Sequence, residues 1–140
     1  MDLQPLIRFF ETLSPQTLAR IPEFYAAEAR FKDPFNDVQG AAAIERIFSH
    51  MFMQVDAPRF VVGERVIDPQ GAVLVWEFHF GLRIWGRSRP HVIRGASHLK
   101  FGADGKVVLH RDYWDSGEEL YMKLPVLGLL MRALRRRLAA

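Results

Sequence analysis

The sequence predicts one α+β domain: a curved antiparallel sheet wrapped as a cone around N-terminal helices, with an extra helix at the C-terminus. Three observations carry this prediction. The chain has 140 residues, the size of a single domain, and at that length about two thirds of the unfolded surface can be buried. Apolar residues recur at helical spacing early in the chain, whereas later segments alternate with period two. Helices and strands therefore come in separate runs, as in α+β rather than alternating α/β architecture.

The elements follow in order. Residues 2–12 read as a first helix, with Leu3, Leu6, Ile7, Phe10 and Leu13 near helical spacing. Ser14-Pro15 then restarts the chain, Ser as N-cap and Pro at the first helical position. The second helix is jogged at Ile21-Pro22, because proline removes a donor and restricts the residue before it. Residues 30–34 read as a short strand ending in a turn. Gly40 opens a helix over residues 41–54, on which Ile44, Ile47, Phe48, Met51 and Phe52 form an apolar stripe.

After Pro58 the pattern turns extended. Residues 59–68 form a strand, and Asp68-Pro69-Gln70-Gly71 has turn chemistry. Residues 72–85 make a long apolar and aromatic strand, closed by a polar loop at 86–90. Residues 91–101 alternate: Ile93, Gly95, Ser97, Leu99 and Phe101 on one face, Arg94, His98 and Lys100 on the other. A hairpin loop at 102–105 leads to a strand over 106–115. Ser116-x-x-Glu119 then forms a capping box before a final helix. Long strands in so small a domain must curl around the helices.

Composition narrows the function. Apolar residues make up 49% and charged residues 25% of the chain, which is ordinary for a globular protein. With no cysteine, disulfides and thiolate metal sites are excluded, and no His-Glu-x-x-His spacing suggests a metal. No apolar run is long enough for a membrane span, and none behind basic residues marks a secretory signal, so a cytoplasmic protein is expected. The whole net charge of +3 lies in residues 116–140. The body is thus neutral, without a nucleic-acid footprint.

That tail is expected to form a basic amphipathic helix packed on the body formed by residues 1–115. Leu120, Leu124, Leu127, Leu130, Met131, Leu134 and Leu138 form its apolar stripe, and Arg132 with Arg135, Arg136 and Arg137 gathers at its end. Packing on the domain is the commoner fate of such a helix. A membrane surface or a partner protein is the alternative.

Several segments, in order, resemble a known superfamily. Phe24-Tyr25, the run Ala29-Arg30-Phe31-Lys32-Asp33-Pro34, and Gly40-Ala41-Ala42-Ala43-Ile44 are similar to the helix, strand, Asp-Pro and helix of ketosteroid isomerases. Ser97-His98-Leu99-Lys100-Phe101 with the following Gly-Ala-Asp-Gly turn resembles that family's final hairpin. His110-Arg111-Asp112-Tyr113-Trp114-Asp115 looks like the ending of SnoaL-like and limonene-epoxide-hydrolase-like members. The resemblance places the chain in the nuclear transport factor 2-like superfamily, SnoaL-like and ketosteroid-isomerase-like branch. It implies a cystatin-like roll, an apolar pocket, no cofactor, and a homodimer through the exposed sheet.

The resemblance also singles out residues. Asp33 falls where ketosteroid isomerases carry the general base, a carboxylate whose work requires an apolar cavity. Asp-Pro is equally a turn opener, and both readings stand. The family's helix-one tyrosine falls on Phe9 or Phe10 and its strand aspartate on Ser97, so the strong donors for an enolate oxygen are replaced. Strand alternation puts His110, Asp112 and Trp114 on one face, which the resemblance turns into the pocket. There Asp112 with His110 is a second acid–base candidate. Epoxide-hydrolase-like relatives pair such an aspartate with an Arg-x-Asp on the preceding strand, but here Arg94 is followed by Gly95 and Ala96. Tyr25, Phe31, Trp76, Phe78, Phe101 and Trp114, with Ser97, are expected to line the cavity; filling the core is their plain alternative.

The expected function is binding of a small apolar ligand, with isomerase- or cyclase-type acid–base chemistry on a carbonyl or cyclic compound. The alternatives are a non-catalytic ligand-binding module, a protein- or membrane-interaction module, and an epoxide-hydrolase-like hydrolase.

Overall fold

The first helix, α1 (Gln4–Glu11), starts with Pro5 in its first turn and buries Leu6, Ile7, Phe9 and Phe10 along one face. The computed structural model describes residues 1–119 and 125–139. The Ser14 hydroxyl accepts the Thr17 N–H at 3.2 Å just ahead of a short 3-10 helix over Thr17–Arg20, whose own N-cap position is Gln16. A single helical turn, α2 (Ile21–Phe24), follows.

β1 (Tyr25–Lys32) starts well before the predicted strand. Ala26, Ala27, Glu28 and Ala29 favour helix, but tertiary pairing overrides that preference. β1 lies between two neighbours, and Tyr25, Ala29 and Phe31 are buried. β2 (Asp37–Gln39) folds back on it antiparallel. Gly40, at φ 108°, makes the left-handed entry to α3 (Ala41–Gln54), which buries Ile44 and Phe48.

The rest is a meander of β3 (Asp56–Asp68), β4 (Gly71–Ile84), β5 (Arg87–Phe101) and β6 (Val107–Tyr113). The six strands form one sheet in the order β2-β1-β6-β5-β4-β3. The sheet was expected to be antiparallel throughout, but β1 and β6, the first and last long strands, run parallel. A register shift in β3 between Val62 and Glu64 bends the edge, and Glu11 of α1 accepts the Val62 N–H there at 3.0 Å.

The polar segment 86–90 is not a loop. Trp85 and Gly86, at φ 55° and 71°, make a two-residue turn, and Arg87 already pairs with Ile84. Residues 85–90 are all exposed, so no face needs to be apolar and the alternation that marks a half-buried strand is absent.

α1 packs on β3, and α3 on β1 and β3. The core between helices and sheet holds Ile7, Phe9, Ile21, Tyr25, Phe31, Ile44, Leu74, Leu99 and Val107. Beyond β6 the turn of α4 (Ser116–Glu119) is capped by Asp115, whose carboxylate accepts the Glu118 N–H at 3.0 Å, one residue before the predicted Ser116 cap. α5 (Pro125–Leu138) follows; Leu120 and Leu124 lie outside the described residues. On α5, Leu127, Leu130, Leu134 and Leu138 are exposed. Among the described residues no helix is long and apolar enough to cross a membrane.

Candidate functional site

The site grows from one glycine. Gly95 on β5 stands opposite Trp76 on β4, and the indole lies flat over it: a Cβ on Gly95 would come within 2.5 Å of the ring. The bare backbone lets the indole N–H reach the Ser97 hydroxyl at 2.8 Å. Ser97 is paired with Asp112 across β5 and β6, and its Oγ lies 2.5 Å from Asp112 Oδ1. Two residues earlier on the same face of β6, His110 brings Nε2 within 2.6 Å of that oxygen. The other ring nitrogen, Nδ1, meets the Tyr25 hydroxyl at 2.6 Å, closing a contact across 85 residues of sequence.

The direction of these hydrogen bonds follows from what each group can do. An indole N–H only donates and a carboxylate only accepts. Ser97 therefore accepts from Trp76 and donates to Asp112, and His110 donates to Asp112 from Nε2. Tyr25 then donates to Nδ1 of a neutral imidazole. A doubly protonated ring would leave the Tyr25 proton unpaired in a fully buried place. Burial, followed by the nearby Asp112 charge, pushes the Tyr25 phenol well above its ordinary range, so it keeps the proton it donates. The imidazole is walled by aromatics, with Phe31 at 4.7 Å and Phe10 at 5.8 Å between ring centroids.

Asp112 is the end of this chain that meets open space. Its Oδ1 takes both donors, and among the described residues no hydrogen bond reaches Oδ2. No buried side-chain polar atom there lacks a partner, so Oδ2 lies at an accessible wall. Asp112 also lines a cavity of about 550 Å³, together with Phe31, Phe48, Phe60, Trp76, Phe78, Phe80, Leu82, Ile93 and Trp114. Phe60, Phe78 and Phe80 stack in sequence at 4.5 and 4.9 Å between centroids. Drug-sized ligand pockets have this volume and this mostly apolar character.

The other predicted residues are placed as follows. Asp33 borders the cavity, but its carboxylate also holds the turn behind it. Oδ1 accepts the backbone N–H groups of Phe35 and Asn36 at 2.8 and 2.6 Å, and the Asn36 amide donates to both oxygens at 3.1 Å. Tyr25 and Phe101, expected to touch a ligand, do not line this cavity. Tyr25 is 1% exposed behind His110. Phe101 ends the 15-residue β5, about 25 Å along the strand from Ile93; parity put it on the correct face, but strand length takes it to the far end. Ser97 turns its hydroxyl toward Asp112 instead of a ligand.

One set of lining residues was not anticipated. Arg46, His50 and Gln54 of α3 are exposed and line the cavity. Their i, i+4, i+8 spacing places them on one helical face. The apolar stripe on the same helix points to packing, and the polar stripe beside it is the sequence signal for these lining residues.

Comparisons with known proteins agree with this fold. Residues 6–110 match the model of the SnoaL-like domain. No curated protein matches the sequence. Among solved structures, the chain is similar to an NTF2-like protein of unknown function from Burkholderia pseudomallei K96243, at 15% identity and a TM-score of 0.72, over 84% of this chain and 95% of that one. It is also similar to a protein from Shewanella putrefaciens CN-32 provisionally designated a SnoaL-like polyketide cyclase, at 17% identity and a TM-score of 0.69, over 88% of this chain and 99% of that one. A third is a protein of ketosteroid-isomerase-like fold from Catenulispora acidiphila DSM 44928, in complex with trimethylamine, at 13% identity and a TM-score of 0.67, over 81% of this chain and 85% of that one. At such identities the likeness concerns the fold.

Proposed function

The chain belongs to the SnoaL-like domain family, and on that premise we propose that it binds an apolar, cyclic, carbonyl-bearing compound and moves a proton on it through Asp112. The single observation behind this reading is the Asp112 carboxylate, held on one oxygen by Ser97 and His110, at the wall of an apolar cavity of about 550 Å³. Oδ2 takes a proton from the carbon next to the carbonyl, and the electron pair moves onto the carbonyl oxygen. The proton then returns to the same or a neighbouring carbon. His110 and Tyr25 act through Asp112 as positioning residues: they fix the carboxylate's rotamer in a closed hydrogen-bond chain and do not meet the substrate. Arg46, His50 and Gln54 supply the donors available to the developing oxyanion at the cavity wall. Asp112 is preferred to Asp33 because the Asp33 oxygens are occupied by the turn.

Deuterium uptake at the α-carbon of 2-tetralone, an apolar bicyclic ketone, tests the reading by proton NMR in deuterium oxide. The wild-type protein accelerates exchange over buffer, Asp112→Asn abolishes the acceleration, and Asp33→Asn retains most of it. Binding of 2-tetralone without accelerated exchange would leave a ligand carrier and defeat the acid–base proposal.

A further inference from the structure

The feature the cavity does not explain is α5. Residues 125–138 hold four arginines and no acidic residue. At about 100° per residue, Leu127, Leu130, Leu134 and Leu138 fall within an arc of about 80°. Arg135 and Arg137 flank that arc, and Arg132 and Arg136 lie opposite. The body is approached along the edge beside the stripe, where Gly128 is buried and Met131 comes close to Gly117. The leucine stripe is therefore not what docks α5. Leu130 is 59% and Leu138 83% exposed.

A row of leucines turned to solvent on a helix this cationic is unfavourable unless something covers it. Charge selects the cover. A second copy of this chain would bring an equally arginine-rich helix against the first, and like charges oppose that pairing. An anionic lipid surface satisfies both halves: leucines enter the acyl boundary while Arg137 beside them extends its charged end to the phosphates. The helix is too short to span, but lying flat requires no such length. We propose that α5 is an interfacial helix that seats the protein on anionic membranes, leucine stripe down.

Co-sedimentation with vesicles tests this, using the full chain throughout. One set of vesicles contains phosphatidylcholine with phosphatidylglycerol, the other phosphatidylcholine alone. The full chain should pellet with the anionic vesicles, and raised salt should release it. It should bind the neutral vesicles much more weakly. Arg137→Gln, beside the stripe, should weaken binding by about fivefold. Leu130→Ser with Leu134→Ser should abolish it while circular dichroism of the domain stays unchanged, since both side chains are exposed. Failure of the full chain to bind anionic vesicles would overturn the proposal, as would undiminished binding by the leucine variant. A full chain that ignores vesicles but dissociates to smaller species on size exclusion when the leucines are replaced would assign the stripe to a second copy instead.

Discussion

Replacing Tyr25 by phenylalanine removes one oxygen from the middle of the protein, and its cost follows from the hydrogen-bond chain. The hydroxyl donates at 2.6 Å to His110 Nδ1, and both residues are buried, at 1% and 3% exposure. Phenylalanine keeps the ring and its packing but leaves Nδ1 without a donor. A buried polar atom stripped of its partner costs about 1–3 kcal/mol. A value of about 2 kcal/mol lowers Tm by about 6 °C in a domain of this size.

The same residue gives this loss a pH dependence. Burial, then the Asp112 charge, holds the phenol above its ordinary value of about 10 in the folded state. The unfolded chain therefore releases this proton first as pH rises. Stability from Tyr25 is complete below about pH 10 and falls above it by about 1.4 kcal/mol per pH unit until the folded phenol itself ionises. Phenylalanine has no such proton. The gap between wild type and Tyr25→Phe should accordingly shrink from about 2 kcal/mol at pH 7 to about 0.6 kcal/mol at pH 11. Urea unfolding of both proteins at the two pH values measures it. A gap below 0.5 kcal/mol at pH 7, or one that does not change by pH 11, would refute the buried donor assigned to Tyr25.

Other substitutions probe the surrounding frame. Gly95→Ala forces a methyl toward the Trp76 ring, and should cost about 1–3 kcal/mol by overpacking; a change in tryptophan emission should accompany it as the indole leaves Ser97. Leu99→Ala empties a site with 0% exposure and should cost about 2–5 kcal/mol by chemical denaturation. Asp33→Ala removes the acceptor of the Pro34–Asn36 turn and should cost about 1–2 kcal/mol, while 2-tetralone exchange persists if Asp112 is the base.

Much of the frame was legible because period-two alternation is a local signal. It assigned the faces of β5 correctly and put His110, Asp112 and Trp114 on one side of β6. The same signal failed where its physical premise failed. Residues 87–90 have no buried face, so nothing in their composition marks them as strand. β1 was hidden by its alanines, since its extended form is imposed by β2 and β6 on either side. The parallel pairing of β1 with β6 has no local signature at all. Nor does the Tyr25–His110 hydrogen bond, which joins residues 85 apart. For the site, the sequence placed two carboxylates near one cavity but could not say which was occupied. Only the turn around Asn36 and the free oxygen of Asp112 separate them.

The central claim, that Asp112 offers an accepting oxygen to an apolar ligand in the cavity, is tested most directly by comparing two nearly isosteric probes. Fluorescence titration gives the affinities of naphthalene and 2-naphthol for the wild-type protein and for Asp112→Asn. A hydrogen bond to a charged acceptor contributes about 1.5–3 kcal/mol, so wild type should bind 2-naphthol at least about tenfold more tightly than naphthalene. The asparagine variant should lose most of that preference while still binding naphthalene. Equal affinities in wild type, or a preference for the hydroxyl that survives the substitution, would contradict the account.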